Sequence, residues 1–303
     1  MKYFGLTAVL TGTLVMPGNA CDLCSIYAAS QAGGSSGRGL FGGLAEQYTS
    51  FGTLQDSGQR IPNDGEYIHS STTQVFAGYN FNDRLSAQIS VPFISRSFGS
   101  DTSSGTASGL GDVSLIGSYA PIQWMSVDST LTWNVLGGVK FPTGNPRRLA
   151  DPDFASGIGG HDLALGSGSF DGVVGTGLFA RWKRTFATAG MQYAIRSAGY
   201  IDHQYANDLT WTAGPGYYLL LADDYTLSLQ GLASGEAKGK DSFGGVPDDD
   251  SAETIVYAGP QINFTWGSQM SVQLGADIPV SIENTGVQVV PDWRASAAIT
   301  WRF

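Results

Sequence analysis

The sequence predicts an all-β fold, a closed antiparallel transmembrane β-barrel of about 12 strands carrying a short N-terminal periplasmic arm. Three observations predict it. Apolar and polar residues alternate with period two from Leu40 to the carboxy terminus. The links between these stretches alternate between tight turns and longer polar loops. Charged residues make up only 14% of the chain, whereas about 25% is usual for soluble domains. With 42 glycines, 15 phenylalanines, 13 tyrosines and 7 tryptophans in 303 residues, the composition suits a wall that is apolar on one side and polar on the other.

The alternation is clearest at the end of the chain. Trp293, Ala295, Ala297, Ile299, Trp301 and Phe303 share one face, opposite Asp292, Arg294, Ser296, Ala298, Thr300 and Arg302. Before them, Met270, Val272, Leu274, Ala276 and Ile278 oppose Ser271, Gln273, Gly275 and Asp277. Val256 to Trp266 and Leu131 to Lys140 read the same way. Read from end to end, this places twelve strands near 40–52, 68–81, 84–97, 109–120, 127–142, 171–183, 185–198, 208–222, 225–237, 252–266, 269–281 and 288–303.

Tight turns are expected at Phe81-Asn82-Asp83-Arg84, Lys183-Arg184-Thr185, Leu221 to Asp224 and Trp266 to Gln269, with a slightly longer one at Pro121 to Ser126. Longer links fall around 53–67, 98–108, 143–170, 199–207, 238–251 and 282–287. Short turns on one side and long loops on the other are the topology of outer-membrane barrels, with the short side periplasmic. An even strand count then puts both termini in the periplasm. Backbone amides in lipid must pair within the protein, and a closed barrel achieves this. Tyr119, Trp124, Trp182, Phe186, Trp266, Trp301 and Phe303 cluster near the short turns, as an interfacial girdle should. Trp301 and Phe303 also read as the assembly signal recognised by the barrel-assembly machinery.

The first residues read as an export signal. Lys2 supplies the positive charge, Phe4 to Met16 is apolar, and Pro17-Gly18-Asn19-Ala20 offers small residues for cleavage after Ala20. That apolar run is too short for a membrane helix, which needs about 20 residues. The expected organisation is therefore a signal peptide at 1–20, an arm and Gly/Ser linker at 21–39, and the barrel at 40–303. Localisation follows as the outer membrane of a Gram-negative bacterium, with outer-membrane lipid around the wall.

Cys21-Asp22-Leu23-Cys24 holds the only cysteines. In an oxidising periplasm this pair reads as a local disulfide, a redox pair or half of a soft-metal site. Cys21 also stands where a lipid anchor would attach, although Gly18 replaces the Leu-like residue that signal prefers. Ser25 in place of histidine leaves covalent haem attachment unsupported. No cofactor is expected beyond a metal at Cys21 and Cys24. Residues 25–31 suit one or two helical turns, and Gly33 to Gly37 a flexible link, so the arm reads as a plug, a docking segment or a plain leader.

The formal charge of −10 excludes nucleic acid as a partner, because phosphates need a basic face. By alternation the lumen carries Arg96, Lys140, Arg181, Arg196 and Arg294 together with Asp112, Glu236, Asp277 and Asp292. Opposed charges across a narrow lumen select solutes by charge; alternatively they pair and stiffen the wall. The three histidines, His69, His161 and His203, lie near loops with no serine at a telling spacing. His161-Asp162 with Asp151 and Asp153 is a weak divalent-ion candidate in a polar loop.

Three stretches, Gly109 to Leu115, Gly138 to Gly144 and Gly166 to Asp171, resemble the phenol-degradation (MetA-pathway) outer-membrane protein family over roughly residues 70–303. The resemblance implies a transmembrane barrel acting as a channel or transporter and leaves the cargo open. The cysteine-bearing amino terminus departs from that pattern. The functional expectation is an outer-membrane channel for small solutes, apolar or aromatic ones included, and not an enzyme. The alternative is an assembly module that docks a periplasmic redox or metal-handling partner through the Cys21–Cys24 arm. An outer-membrane lipid hydrolase is the third reading.

Overall fold

The computed structural model describes residues 38–101 and 103–303. The expected signal peptide, Cys21, Cys24 and the linker to residue 37 lie outside the described residues.

The wall is built from β1 (Gly39–Asp56), β2 (Tyr67–Asn80), β3 (Leu85–Gly99), β4 in two pieces (Ser104–Leu110 and Ser114–Met125), β5 (Ser129–Lys140) and β6 (Asp171–Trp182). It continues through β7 (Thr185–Ile195), β8 (Asp208–Leu221), β9 (Tyr225–Lys238), β10 (Glu253–Trp266), β11 (Met270–Asn284) and β12 (Val287–Arg302). Each strand pairs antiparallel with its sequence neighbours, and β12 returns to β1 to close the ring. The closing register runs from Phe41 opposite Arg302 to Asp56 opposite Val287. This is the predicted closed barrel of twelve strands. No helix among the described residues is long and apolar enough to cross a membrane.

Three local expectations change. Pro121 to Ser126 is not the turn, because a register shift between Tyr119 and Ile122 absorbs the proline and β4 runs on to Met125. The link around 98–108 is largely strand, since Ser104–Leu110 folds back on β3 before the chain breaks at Gly111-Asp112-Val113. The connection near 282–287 is only Thr285-Gly286, so not every link on the loop side is long.

The alternation sorts the two faces as read. Val75, Ile89, Phe93, Trp133, Val174, Leu178, Met191, Leu229, Ile262, Leu274 and Ile299 stand exposed on the outside. Gln47, Thr49, Thr72, Gln74, Ser90, Gln192, Thr210, Gln230 and Gln261 are buried within. Around the short turns, Tyr119, Trp124, Trp182, Trp266, Trp301 and Phe303 are exposed as the girdle requires. Phe186 is the exception. It is buried in the lumen against Gly216, where an added Cβ would lie 2.1 Å from its Cζ.

The long link between β5 and β6 does not stay outside. It carries a 3-10 turn (Arg147–Ala150) and one short helix (Gly160–Leu163). Ile158, Leu163 and Leu165 bury themselves against Leu54, Ile68, Phe98, Ala107 and Val289 on the inner wall. Burying each such side chain contributes about 1.5–3 kcal/mol, so the loop is held in the loop-side half of the lumen by an apolar core.

Candidate functional site

The lumen is the only place where the fold gathers charged groups away from solvent among the described residues. Its loop-side tier is an ion-pair chain across the ends of neighbouring strands. Lys140 Nζ lies 2.8 Å from Asp112 and 2.7 Å from Asp171. Arg196 lies 3.1 Å from Asp171 and 2.5 Å from Asp208. Lys238 continues the tier with Asp241 at 2.9 Å. The tier is built this way because Lys140, Asp171, Asp208 and Lys238 all occupy inward positions where their strands meet the loops. Asp112 sits in the break of β4, where its carboxylate accepts bonds from the Gly144 and Ser167 amides and so ties the inserted loop to the wall.

Arg96 on β3 fixes the loop from the other side, donating to the carbonyls of Asp162 at 2.6 Å and Ala164 at 3.1 Å. Glu66 accepts from the amides of Ser156 and Gly157, and the Tyr205 hydroxyl donates to the His161 carbonyl. Burial raises the Tyr205 phenol well above its ordinary range, which keeps it a donor.

Beneath this tier Arg294 makes a two-pronged contact with Asp277, at 3.0 and 2.8 Å, and donates to Ser234. Its guanidinium stands 4.0 Å over the Tyr257 ring. Glu236 is buried on the same inner face and lines the same space. Arg181 faces the short-turn rim instead, bonded to Thr130 and to the carbonyl of Lys183.

Of the predicted luminal residues, Asp292 is misplaced. A bulge between β1 and β12 around Ser50, Phe51 and Thr53 leaves Asp292 without a register partner and turns it outward. There it is exposed and accepts a bond from Thr53 at 2.6 Å. Period-two reasoning fails at a bulge because two residues oppose one. The divalent-ion candidate also disperses. Asp151 pairs with Arg148 and His161 with Asp162, and no group of three ligand-type side chains stands together among the described residues. The sequence offers His69 no serine at a telling spacing, yet Ser50 Oγ comes within 3.4 Å of its Nδ1 on the outer wall. The described residues place Tyr48 and Tyr67 beside the ring and give it no carboxylate.

Asp171, Asp208, Lys238, Asp241 and Glu66 were missed. Asp171 and Asp208 had a signal, since each opens a predicted strand in the inward phase, whereas Lys238 falls one residue past the predicted strand end at 237. Glu66 and Asp241 lie in links, where alternation says nothing. Glu46 is a surprise of another kind: it shares the outward phase with Leu44 and accepts bonds from the Ser71 and Thr73 hydroxyls.

Around these groups the lumen opens into two main chambers. The loop-side chamber spans about 1210 Å³, part of it open to solvent, and touches Arg96, Lys140, Arg196 and Lys238. The middle chamber spans about 1420 Å³, also partly open, and is lined by Thr132, Asn134, Gln192, Gln230, Gln261 and Arg294, among others. A smaller space of about 620 Å³ toward the short turns shares Thr132 and Asn134 with it.

Fold and lumen together define a transmembrane barrel of the outer-membrane type whose interior is chambered and spanned by ion pairs. Comparison with solved structures agrees on the fold. The chain is similar to the COG4313 outer membrane channel from Pseudomonas putida F1, with a TM-score of 0.66 at 16% identity, over 89% of this chain and 96% of that one. A weaker likeness is to the translocator domain of the autotransporter NalP from Neisseria meningitidis, with a TM-score of 0.46 and 14% identity over 93% and 95% of the two chains. No family model matches the sequence, and no curated protein matches it.

Proposed function

We propose that the chain is an outer-membrane channel that passes small solutes through its lumen. The observation that carries this reading is the pair of chambers stacked along the barrel, about 1210 and 1420 Å³, the loop-side one lined by the tier of ion pairs. A barrel of eight strands is filled by its own side chains, and one of sixteen holds an open aqueous channel. Twelve strands give an intermediate lumen that the inserted loop narrows further. In this reading the short turns and both termini face the periplasm, the loops face outward, and Trp301 and Phe303 present the terminal strand to the barrel-assembly machinery. The likeness to an outer-membrane channel supports the reading through the fold alone.

The test is conductance of the purified protein in planar bilayers. Discrete single-channel steps are expected. Their absence across preparations that are folded and heat-modifiable would overturn the channel reading.

A further inference from the structure

The middle chamber carries a polar surface of one particular kind. From β5, β6 and β7 it takes hydroxyls, amides and one aromatic ring, and no charged side chain. Its charged luminal groups, Arg294, Asp277 and Glu236, belong to β12, β11 and β9, and Arg294 and Asp277 neutralise each other. The ring is Phe179, half-buried on β6. Its register neighbours are Thr132 on β5 and Thr188 on β7, so a hydroxyl flanks it on either side. Phe186 packs against the ring with 5.9 Å between centroids and limits its movement.

Hydrogen bonds along the wall decide what these groups present to the chamber. The Gln230 side-chain amide donates to Thr188 Oγ1 at 2.6 Å and to the carbonyl of Gly214 at 3.0 Å, which uses both of its N–H groups. The Thr188 hydroxyl accepts that bond and keeps its own proton to donate. Gln261 donates to Asn263 Oδ1 at 2.9 Å and to Gln230 Oε1 at 3.4 Å, which leaves its own Oε1 as an acceptor. Thr132 and Asn134 make no side-chain hydrogen bond among the described residues. Both also line the smaller space toward the short turns, so this wall flanks the passage from the middle chamber to that end of the barrel.

This arrangement discriminates between classes of solute. A hydroxyl is donor and acceptor at once, and amides and hydroxyls serve it in both senses. A sugar ring adds an apolar C–H face that matches the face of an aromatic ring. An ion against this wall gives up hydration for neutral dipoles, with no opposite charge beside it. An apolar solute takes water from Thr132, Asn134 and Gln261 and returns no hydrogen bond.

We propose that Phe179, Thr132, Asn134, Thr188, Gln230 and Gln261 form a binding site for a neutral sugar of one or two rings. The proposal rests on the channel reading and names the class of solute that the channel favours. Phe179 supports a ring face, Thr188 donates to one hydroxyl, and Gln261 accepts from another. A sugar held there obstructs the passage, so binding is readable as a fall in ionic current.

The experiment records the full chain in planar bilayers while glucose or maltose is added. Gluconate and glucosamine are the charged counterparts, and an ethylene-glycol oligomer of similar mass measures plain obstruction. The expected result is block that saturates with glucose or maltose, at a half-blocking concentration about tenfold or more below that of the three controls. Phe179→Ala and Thr188→Val are each expected to raise that concentration about three- to tenfold, as the loss of one hydrogen bond or one ring contact would. Thr188→Ser keeps the hydroxyl and is expected to stay within about twofold of the unaltered protein. Heat-modifiable migration in detergent shows that each variant is folded, and either weakened variant carries the test if the other does not fold. Saturating block that neither Phe179→Ala nor Thr188→Val shifts would overturn the assignment of the site to this wall. Conduction without saturating block by either sugar, or with equal block by gluconate or glucosamine, would overturn the sugar site and leave the channel reading standing. An unaltered, folded protein that does not conduct would overturn the channel reading beneath it.

Discussion

Arg96 and Asp162 are joined across the lumen by a hydrogen bond of 2.6 Å from the guanidinium to a backbone carbonyl. A second bond to Ala164 makes this one side chain the bracket for the helix at the tip of the inserted loop. Hydrogen bonds from charged donors contribute about 1.5–3 kcal/mol each. Arg96→Ala is expected to loosen the loop while the apolar core around Leu163 keeps the barrel folded. The measurable outcome is larger or flickering single-channel conductance, with increased protease cleavage between 147 and 165. A conductance trace identical to the unaltered protein would show that the loop does not limit the path.

The ion-pair tier makes a different prediction. Asp171 has no side-chain exposure and serves both Lys140 and Arg196. Removing one member of a buried pair costs about 3–5 kcal/mol where the charge left behind has no other partner; here Lys140 keeps Asp112 and Arg196 keeps Asp208, so a smaller loss follows. Asp171→Asn is therefore expected to lower the urea midpoint of the barrel in detergent, with little change in assembly yield. Lys140→Met together with Asp171→Asn should cost more than Asp171→Asn alone, because the buried Asp112 loses its cation, but less than the sum of the two single losses. Additive losses would argue that the two groups do not interact.

How much of this was legible beforehand follows from what alternation can encode. It placed Lys140, Arg196, Glu236, Asp277 and Arg294 inside because each lies on a regular stretch whose apolar partners face lipid. It failed at Asp292, where a bulge resets the phase, and at Phe186, where Gly216 across the strand pair leaves room for an inward ring. It was silent on the inserted loop. Residues 143–170 look polar and Gly-rich, and Ile158, Leu163 and Leu165 are too widely spaced to announce a buried surface. The end of the β11–β12 ladder at Asp277 and Arg294 was also hidden, since Pro279 and Pro291 lie in strands that otherwise alternate correctly.

The loop around His203 is expected to respond to acid. Burial lowers the pKa of His203 below its ordinary value, outweighing the attraction of Asp241 at 3.9 Å; His161 and Lys238 push the same way as burial, and Asp248 opposes it. A group with a lowered folded pKa is neutral in the fold and charges more readily once freed. The stability it contributes is present above the unfolded histidine value of about 6.5 and declines as pH falls below it. Amide exchange at 199–208 and 239–251 should therefore accelerate between pH 7.5 and pH 5. His203→Gln should flatten that dependence, and an unchanged profile in the variant would assign the response to another group.

Phe303 is 81% exposed at the end of β12, and its amide donates to the carbonyl of Leu40 at 2.9 Å. The closure is otherwise complete, so deleting the residue removes little from the folded wall. A deletion is expected to reduce the heat-modifiable fraction recovered from the outer membrane while leaving the unfolding midpoint of that fraction unaltered. Normal recovery would show that Phe303 plays no part in assembly.

Ion selectivity tests the lumen directly. Arg294 neutralises Asp277 within the middle chamber, and Arg196 bridges Asp171 and Asp208 at the tier above. Replacing both arginines by alanine leaves three carboxylates, Asp171, Asp208 and the half-buried Asp277, with two fewer cations facing them. In a narrow, low-dielectric lumen, uncompensated charge of one sign raises the local concentration of the other. The double variant is therefore expected to shift the reversal potential in a salt gradient toward cations, relative to the unaltered protein. The carboxylates can instead take up protons, and recording at pH 6 and pH 9 separates the two responses. A shift that grows with pH means ionised carboxylates facing the permeation path. A ratio unchanged at both values would make these arginines wall-stiffening partners that permeating ions never meet.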